Sequence, residues 1–573
     1  MPPKTIFAYC CAVGALLGMA GCSARHYKDS ADKEAYRLIR EKTGRVPNMD
    51  PGFTLQVTNL LALEGLPIRT NAESFLGGNS EVEKGARVLS LEAALAMGVQ
   101  RGRMYQTRRE QLYIAALDLG LARHLWTPIF TASAHGAYDV RTSEIQLVPD
   151  QANPGSFKTV TSDNLVETHQ VSAGGPVGVG WLIRDVGRLT TAFTTDFLRI
   201  LSSGPGAATH SSVNATLTRP LLRNAGFQQQ MENLTQAERG LLYEIRDFTR
   251  FRKDYSVQIS TAYYAVLGNR DVARNSHQNL QSSQKNSERT RALAAEGRIA
   301  QAELGRLEQQ QLTVEAAWIN ALRNYRQSLD DLKLQLGLPV DANVVLDDRE
   351  LEKLQIRHPQ VTPEEATQVA MAARLDYLTA RDQVDDTGRR SKVARSFLKP
   401  QLDLVASTRL SSGPDTARGF PLPDPNRYSW QAGVDVDLPF DRTAERNAYR
   451  SALIAEDRAR RDLALREDQI RQQVRDGWRN LEQARRAYEI AELGVTIALR
   501  RVEEQGLLAE LGRAKAQDQV DAQNALNDSR NQRTQALVNH TIARLQFWNN
   551  MGILYIKENG QWEEGGKPAP RTP

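Results

Sequence analysis

The chain predicts a mainly α-helical protein with a small β part, built as two repeats of one plan. Three observations carry this. Long tracts rich in Ala, Gln, Arg, Glu and Leu place apolar residues at heptad spacing. Short stretches between prolines alternate apolar and polar side chains with a period of two. Paired landmarks recur at fixed distances along the chain.

The helical period is clearest from Phe227 to Leu267, where Phe227, Met231, Leu234, Leu241, Ile245 and Phe248 follow a four-three alternation that Glu238 interrupts once. A return segment carries Val314, Trp318, Ala321, Tyr325, Leu329, Leu332 and Leu336, then stops at Gly337-Leu338-Pro339. These stripes are read as coiled-coil packing faces.

The repeat follows from spacing. Gly297-Arg298 and Gly512-Arg513 interrupt long helical tracts, and the distances Gly297 to Gly337 and Gly512 to Gly552 are both 40 residues. SLEAALAMGVQRGRMYQTRREQ (90–111) aligns with TPEEATQVAMAARLDYLTARDQ (362–383) at an offset of 272, which also pairs Pro128 with Pro400. Pro220 pairs with Pro439. The halves differ mainly between their first two prolines, with 92 residues in the first half and 39 in the second. A tract of about 75 residues is roughly 110 Å of helix, a 40-residue return roughly 60 Å, and the initial helices (90–126 and 362–399) roughly 55 Å each. A return and an initial helix together thus match one long helix. Glycine inside a helix costs about 1 kcal/mol, so Gly297 and Gly512 are read as tips where each long helix ends and turns back. A kink in an uninterrupted helix is the other reading.

Gln401–Leu410 and Ser429–Leu438 each alternate apolar with polar residues over ten positions, and Ile129–Asp139 with Ser211–Arg219 play the same parts in the first half. This suits tilted membrane strands with an apolar outside and a polar lumen, although soluble sandwich strands alternate too. The longer first half adds a candidate hairpin, VGVGWLI (177–183) and LTTAFTTDF (189–197), whose place in or above such a sheet the alternation leaves open.

Of the 573 residues, 25% are charged and 6% aromatic, and 73 basic against 68 acidic residues leave a net charge of +5 with the signs interspersed. That describes solvated helix faces and offers no basic stripe for nucleic acid. The eight histidines are scattered, no HExxH, GxSxG or CxxC occurs, and Gly175-Pro-Val-Gly178-Val-Gly180 lacks dinucleotide-binding spacing. The sequence therefore indicates no enzyme, no cofactor and no metal site.

MPPKTIFAYCCAVGALLGMAGC opens the chain with one lysine, an apolar stretch from Ile6 to Ala20, and small residues before Cys22. This is a secretory signal. Met19-Ala20-Gly21-Cys22 resembles a bacterial lipobox, with Met in the usual Leu position, in which Cys22 becomes the acylated first residue. Ser23 instead of Asp after it favours the outer membrane. Ordinary secretion with an incidental cysteine is the alternative. Cys10 and Cys11 leave with the signal, so the mature chain forms no intrachain disulfide. No later segment has 18 consecutive apolar residues, so any membrane crossing must use strands closed into a barrel.

The order of signal with lipobox, helix, strands, long helix, Gly tip and return helix, all but the signal repeated, resembles the TolC-like outer-membrane efflux proteins over residues 90–556. Local support comes from SLEAAL, the prolines flanking the strands, and Gly297 and Gly512 each followed six residues later by an acid, Glu303 and Asp518. The resemblance implies long antiparallel coiled-coil helices plus about four transmembrane β-strands per protomer, closing a β-barrel and an α-helical tunnel as a homotrimer, since four strands cannot close a useful bore and three copies supply twelve. It implies a passive exit duct in the outer membrane with its tunnel in the periplasm. A periplasmic adaptor, an inner-membrane transporter and outer-membrane lipid are the expected partners. The expected organisation is signal 1–21, extension 22–89 wrapping the outside, first repeat 90–337, linker 338–361, second repeat 362–556 and a flexible tail 557–573. Asp518, Asp521 and Glu303 are the expected gate and selectivity carboxylates, and Gly297, Arg298, Gly512 and Arg513 the tip turns that meet the adaptor. Asp518 and Asp521 also read as ordinary exposed helix residues. A periplasmic coiled-coil scaffold without a pore is the rival function.

Overall fold

The computed structural model describes residues 23–56, 61–150, 152, 157–201, 206–297, 300–413, 421–511, 513 and 515–563. They form two compact units: one from Met1–Ala115, Leu241–Arg381 and Arg461–Pro573, the other from Ala116–Gly240 and Asp382–Arg460.

In chain order the elements are α1 (Ala24–Thr43), β1 (Arg87–Leu89), α2 (Leu91–Arg101), α3 (Arg103–His124), β2 (Ile129–Ala132), β3 (His135–Pro149), β4 (Phe157–Ile183), β5 (Gly187–Ile200), β6 (Gly206–Pro220), α4 (Glu232–Ala295), α5 (Gln301–Gln335), β7 (Val344–Leu346), α6 (Pro363–Ala373), α7 (Leu375–Ser396), β8 (Gln401–Ser411), β9 (Tyr428–Asp437), α8 (Thr443–Glu510), α9 (Ala516–Asn550), β10 (Tyr555–Ile556) and β11 (Trp562–Glu563). Single helical turns stand at Phe227–Gln230 and Arg349–Glu352.

The two repeats coincide residue for residue at the ends of their initial and return helices. Both bounds of α2 and of α3 shifted by 272 give the bounds of α6 and α7, and α5 shifted by 215 gives α9. Each initial helix, expected as one rod, is broken once. Gly102 (ψ 119) and Arg374 (ψ 121) leave helical geometry while their N–H groups still bond four residues back, to Gly98 and Ala370 at 2.9 Å. The cause is tertiary. The return helices end in left-handed glycines, Gly337 (φ +72) and Gly552 (φ +76), which press against these breaks. A Cβ on Gly337 would lie 2.2 Å from the Arg101 carbonyl oxygen, and one on Gly552 would lie 3.1–3.3 Å from Arg374 atoms. The α5 end closes as a Schellman motif, with Leu338 N–H on the Lys333 carbonyl at 2.9 Å and Gly337 N–H on that of Leu334 at 3.1 Å.

Helix starts follow the sequence equally closely. Ser90 caps α2 through Ala93 N–H, and Thr362 and Glu365 form a reciprocal capping box with Pro363 in the first turn of α6. Apolar clusters hold the hairpins of the first unit. Ala366, Ala370, Ile470, Val474, Leu481, Phe547 and Met551 are buried together. Burial of such side chains contributes about 1.5–3 kcal/mol each.

The N-terminal extension is part of this unit. Ala35, Leu38 and Ile39 of α1 are buried, and Tyr113 donates to Asp32 at 2.6 Å. β1 pairs in parallel with β7, so the extension and the linker share a small sheet. Residues 557–563, expected in a flexible tail, instead close a hairpin: β10 pairs antiparallel with β11, and Trp562 packs on Val257, Leu545, Leu554 and Ile556. A partly buried aromatic side chain packed on a core cluster holds those residues in place.

The second unit carries one antiparallel sheet in the order β2–β4–β5–β6–β8–β9, with β3 also on β4. The four expected strands are present as β2 with β3, β6, β8 and β9. The hairpin β4–β5 joins them by inserting between β2 and β6, so six strands cross the sheet where about four were expected. The surplus residues of the first half supply them.

Candidate functional site

The first candidate is the sheet, because its register sorts side chains into two opposite faces. One row runs Val177, Phe193, Val213, Leu410, Tyr428 across β4, β5, β6, β8 and β9, with Ala132 of β2 opposite Val177. The next same-face row runs Phe130, Val179, Thr191, Ala215, Thr408, Trp430, and the one after it Trp181, Leu189, Leu217, Ala406, Ala432. Leu404 with Val434 and Leu402 with Val436 extend the face. Several of these apolar side chains are exposed: Phe130 is 80% exposed, Trp430 73%, Tyr428 65% and Val177 57%. An exposed apolar face of this size is a surface for another apolar phase.

The opposite face is polar. Its rows run Thr131, Gly178, Ala192, Asn214, Arg409, Ser429, then Ile129, Gly180, Thr190, Thr216, Ser407, Gln431. Asp403 opposite Asp435 and Gln401 opposite Asp437 finish it. An apolar outer face backed by a polar inner one is the division a membrane barrel needs. Trp181 donates its indole N–H to the Trp126 backbone carbonyl at 3.3 Å, which satisfies the polar end of a partly exposed apolar ring. In the same unit a cavity of about 1110 Å³ lies among Leu182, Arg188, Thr218, Glu232, Arg390 and Glu445. Among the described residues no helix is long and apolar enough to cross a membrane.

The second candidate is the pair of helix tips. After α4 ends at Ala295, Gly297 takes φ +72 and its N–H bonds the Ala294 carbonyl at 3.0 Å, with open space where a Cβ would stand. Glu303 lies half-buried in the first turn of α5. Arg298 lies outside the described residues, as do Gly512 and Cys22. Past α8, the Arg513 N–H reaches the Leu508 carbonyl at 2.8 Å and its side chain is exposed. Asp518 is exposed and accepts the Lys515 N–H at 3.2 Å, capping the start of α9, while the exposed Asp521 accepts from Gln517 at 2.9 Å. Both carboxylates are thus satisfied within their own helix turn.

Sequence reasoning passed over a third constellation. Arg270 on α4 is 1% exposed, with Glu83 at 2.8 Å, Asp348 at 2.9 Å and the Tyr325 hydroxyl at 2.6 Å. Arg69 adds contacts to Glu73 and Asp348, and Arg274 to Asp348 at 3.0 Å. Burial opposes the charge on Arg270, but Tyr325, Glu83 and Asp348 outweigh it and hold the guanidinium charged. Asp348 is likewise held below the usual carboxylate range by its arginines, Arg270 foremost, against the cost of burial. Three cations facing three anions bolt the extension to the first long hairpin. No heptad or motif betrays it, since its members come from four separate segments.

No family model matches the chain. An outer membrane efflux protein of Brucella suis, BepC, is 25% identical over 304 residues, 52% of this chain and 63% of that protein's length. The matched region thus spans less than two thirds of that relative. Among solved structures, the CmeC outer membrane channel of Campylobacter jejuni matches with a TM-score of 0.60 at 13% identity, covering 91% of this chain and 96% of that one. The open state of the Neisseria gonorrhoeae MtrE outer membrane channel matches with a TM-score of 0.57 at 14% identity, covering 81% and 89%. A membrane protein of Pseudomonas aeruginosa gives 0.59 at 17%, covering 87% and 99%. This chain has the fold of the outer-membrane channels, and over half its length its sequence is similar to that of an outer-membrane efflux protein.

Proposed function

We propose that the chain is an outer-membrane channel, the passive exit duct of a tripartite efflux or type I secretion system. It works as a homotrimer whose sheets close a barrel in the membrane and whose helices form a periplasmic tunnel. A periplasmic adaptor and an inner-membrane pump open it at the tips around Gly297 and Gly512, and acylated Cys22 anchors it. The observation that carries the reading is the two-faced sheet, apolar outside and polar inside across six strands. The similarity to outer-membrane channels supports it.

The test joins three measurements on the purified full-length protein: outer-membrane fractionation, heat-sensitive trimer migration, and conductance in planar bilayers. All three are expected. A detergent-independent monomer without conductance overturns the duct and leaves a periplasmic scaffold. For the anchor, Cys22→Ala is expected to abolish incorporation of a labelled fatty acid, and persistent labelling refutes acylation there.

A further inference from the structure

We propose that the β4–β5 hairpin is part of the membrane wall, so that three copies close an 18-stranded barrel with a bore about half again as wide as twelve strands allow. The proposal rests on the trimeric duct reading above and adds the strand number to it.

Four observations carry it. The ladders are continuous: β4 pairs β5 from Gln170↔Ile200 to Ile183↔Gly187, and β5 pairs β6 from Arg188↔Thr218 to Ile200↔Gly206. Second, β2 bonds β4 and β6 bonds β5, with no β2–β6 ladder among the described residues, so the hairpin fills the place where the two expected strands would otherwise meet. At about 4.8 Å per strand, removing it would leave β2 and β6 roughly 14 Å apart. Third, the hairpin shares the faces of its neighbours. Val177, Val179, Trp181, Leu189 and Phe193 lie in the apolar rows, and Gly178, Gly180, Thr190 and Ala192 in the polar ones. A hairpin standing in water would gain nothing from that match. Fourth, Val177 is 57% exposed, Trp181 39% and Phe193 36%, so the apolar side of the hairpin is left for lipid just as that of β9 is.

Barrel diameter grows roughly linearly with strand number, and barrels of 16–18 strands hold an aqueous channel. The small inward residues Gly178, Gly180 and Ala192 add little bulk to that lumen. The hairpin therefore sets the size class of solute the exit can pass.

The experiment places single nitroxide labels in the full-length trimer, reconstituted in bilayers. Val179 and Phe193 probe the outer face of the hairpin and Thr190 its inner face, with Ala432 and Gln431 of β9 as references. Relaxation by oxygen, which partitions into lipid, is compared with relaxation by an aqueous nickel chelate. Val179 and Phe193 are expected to match Ala432, and Thr190 to match Gln431. Val179, Phe193 and Thr190 all seeing water while Ala432 sees lipid puts the hairpin outside the wall and overturns the proposal alone. Ala432 also seeing water overturns the duct reading, and this proposal with it. In planar bilayers, the largest polyethylene glycol entering from the barrel side is expected to shrink about 1.5-fold in radius when residues 176–196 are deleted. An unchanged cut-off in a folded deletion trimer overturns the wider bore, and the labels decide if the deletion does not fold.

Discussion

At the scale of single residues, His540 shows what a buried polar group does without partners. It lies on α9 with no exposed surface, and among the described residues neither ring nitrogen has a hydrogen bond. Burial first, then the charges of Arg544, His358 and Arg485, pushes its pKa down to about 4. A depressed pKa means the unfolded chain binds the proton more readily between pH 6.5 and 4. The stability of the neutral form is therefore complete above 6.5 and is lost as pH falls through 4. The full effect is about 3 kcal/mol, at 1.36 kcal/mol per unit. His540→Leu should flatten the decline in unfolding temperature between pH 6.5 and 4, and an equally steep decline would place the acid-sensitive group elsewhere. Arg270 differs in being a buried charge with opposite charges beside it, Glu83 at 2.8 Å and Asp348 at 2.9 Å. Arg270→Met takes the nearest cation from Glu83, leaving it the Tyr325 hydroxyl and a longer contact to Arg69, while Asp348 keeps Arg69 and Arg274, and should cost about 3 kcal/mol. Urea unfolding followed by circular dichroism measures it, and a midpoint shift worth under about 1 kcal/mol would show the cluster to be marginal.

At the scale of elements, the repeat was readable because it rests on spacing, and spacing survives where residue identity does not. The offsets of 272 and 215 seen in the landmarks reappear as helix bounds. The breaks at Gly102 and Arg374 were not read as a pair: a glycine marks the first, but Arg374 is a good helix former and no proline stands near it. They come from the glycine turns of the returning helices pressing on α2–α3 and α6–α7. The two-stranded ribbon of β3 with residues 157–169 of β4 was missed for another reason: Thr, Ser, Glu and Asp occupy both of its faces, so no apolar alternation announces a strand. Gly297 and Gly337 separate the two demands made on a terminal glycine. Both have φ +72, but a Cβ on Gly297 meets open space while one on Gly337 strikes the Arg101 carbonyl. Gly297→Ala should cost about 1–2 kcal/mol from left-handed strain alone. Gly337→Ala adds a steric clash with backbone and should cost about 3 kcal/mol or more. Equal unfolding midpoints for the two variants would deny that the return helix is wedged against the break.

At the scale of the whole molecule, the sheet was legible through its alternating faces and the α4–α5 turn through Gly297, but what the tips do was not. Side-chain contacts add a constraint there. Asp518 caps its own helix through the Lys515 N–H, so Asp518→Ala removes a cap and a charge together. Asp518→Asn keeps an oxygen for the cap and removes only the charge. Asp521, held by Gln517 alone among the described hydrogen bonds, is charge without a cap. If a trimer gathers these carboxylates about one axis, two of them 6 Å apart repel by roughly 3 kcal/mol at an effective dielectric of 20, and the ring draws in cations. Asp518→Asn with Asp521→Asn should then lower the cation-to-anion permeability ratio by about threefold or more, read from reversal potentials in a salt gradient, with the fold loss shrinking as salt rises. Thermal stability should hardly change, since the cap survives. A permeability ratio unmoved by the double variant would mean that the narrowest charged ring lies elsewhere, with the acidic inner rim of the sheet at Asp403, Asp435 and Asp437 the next place to look.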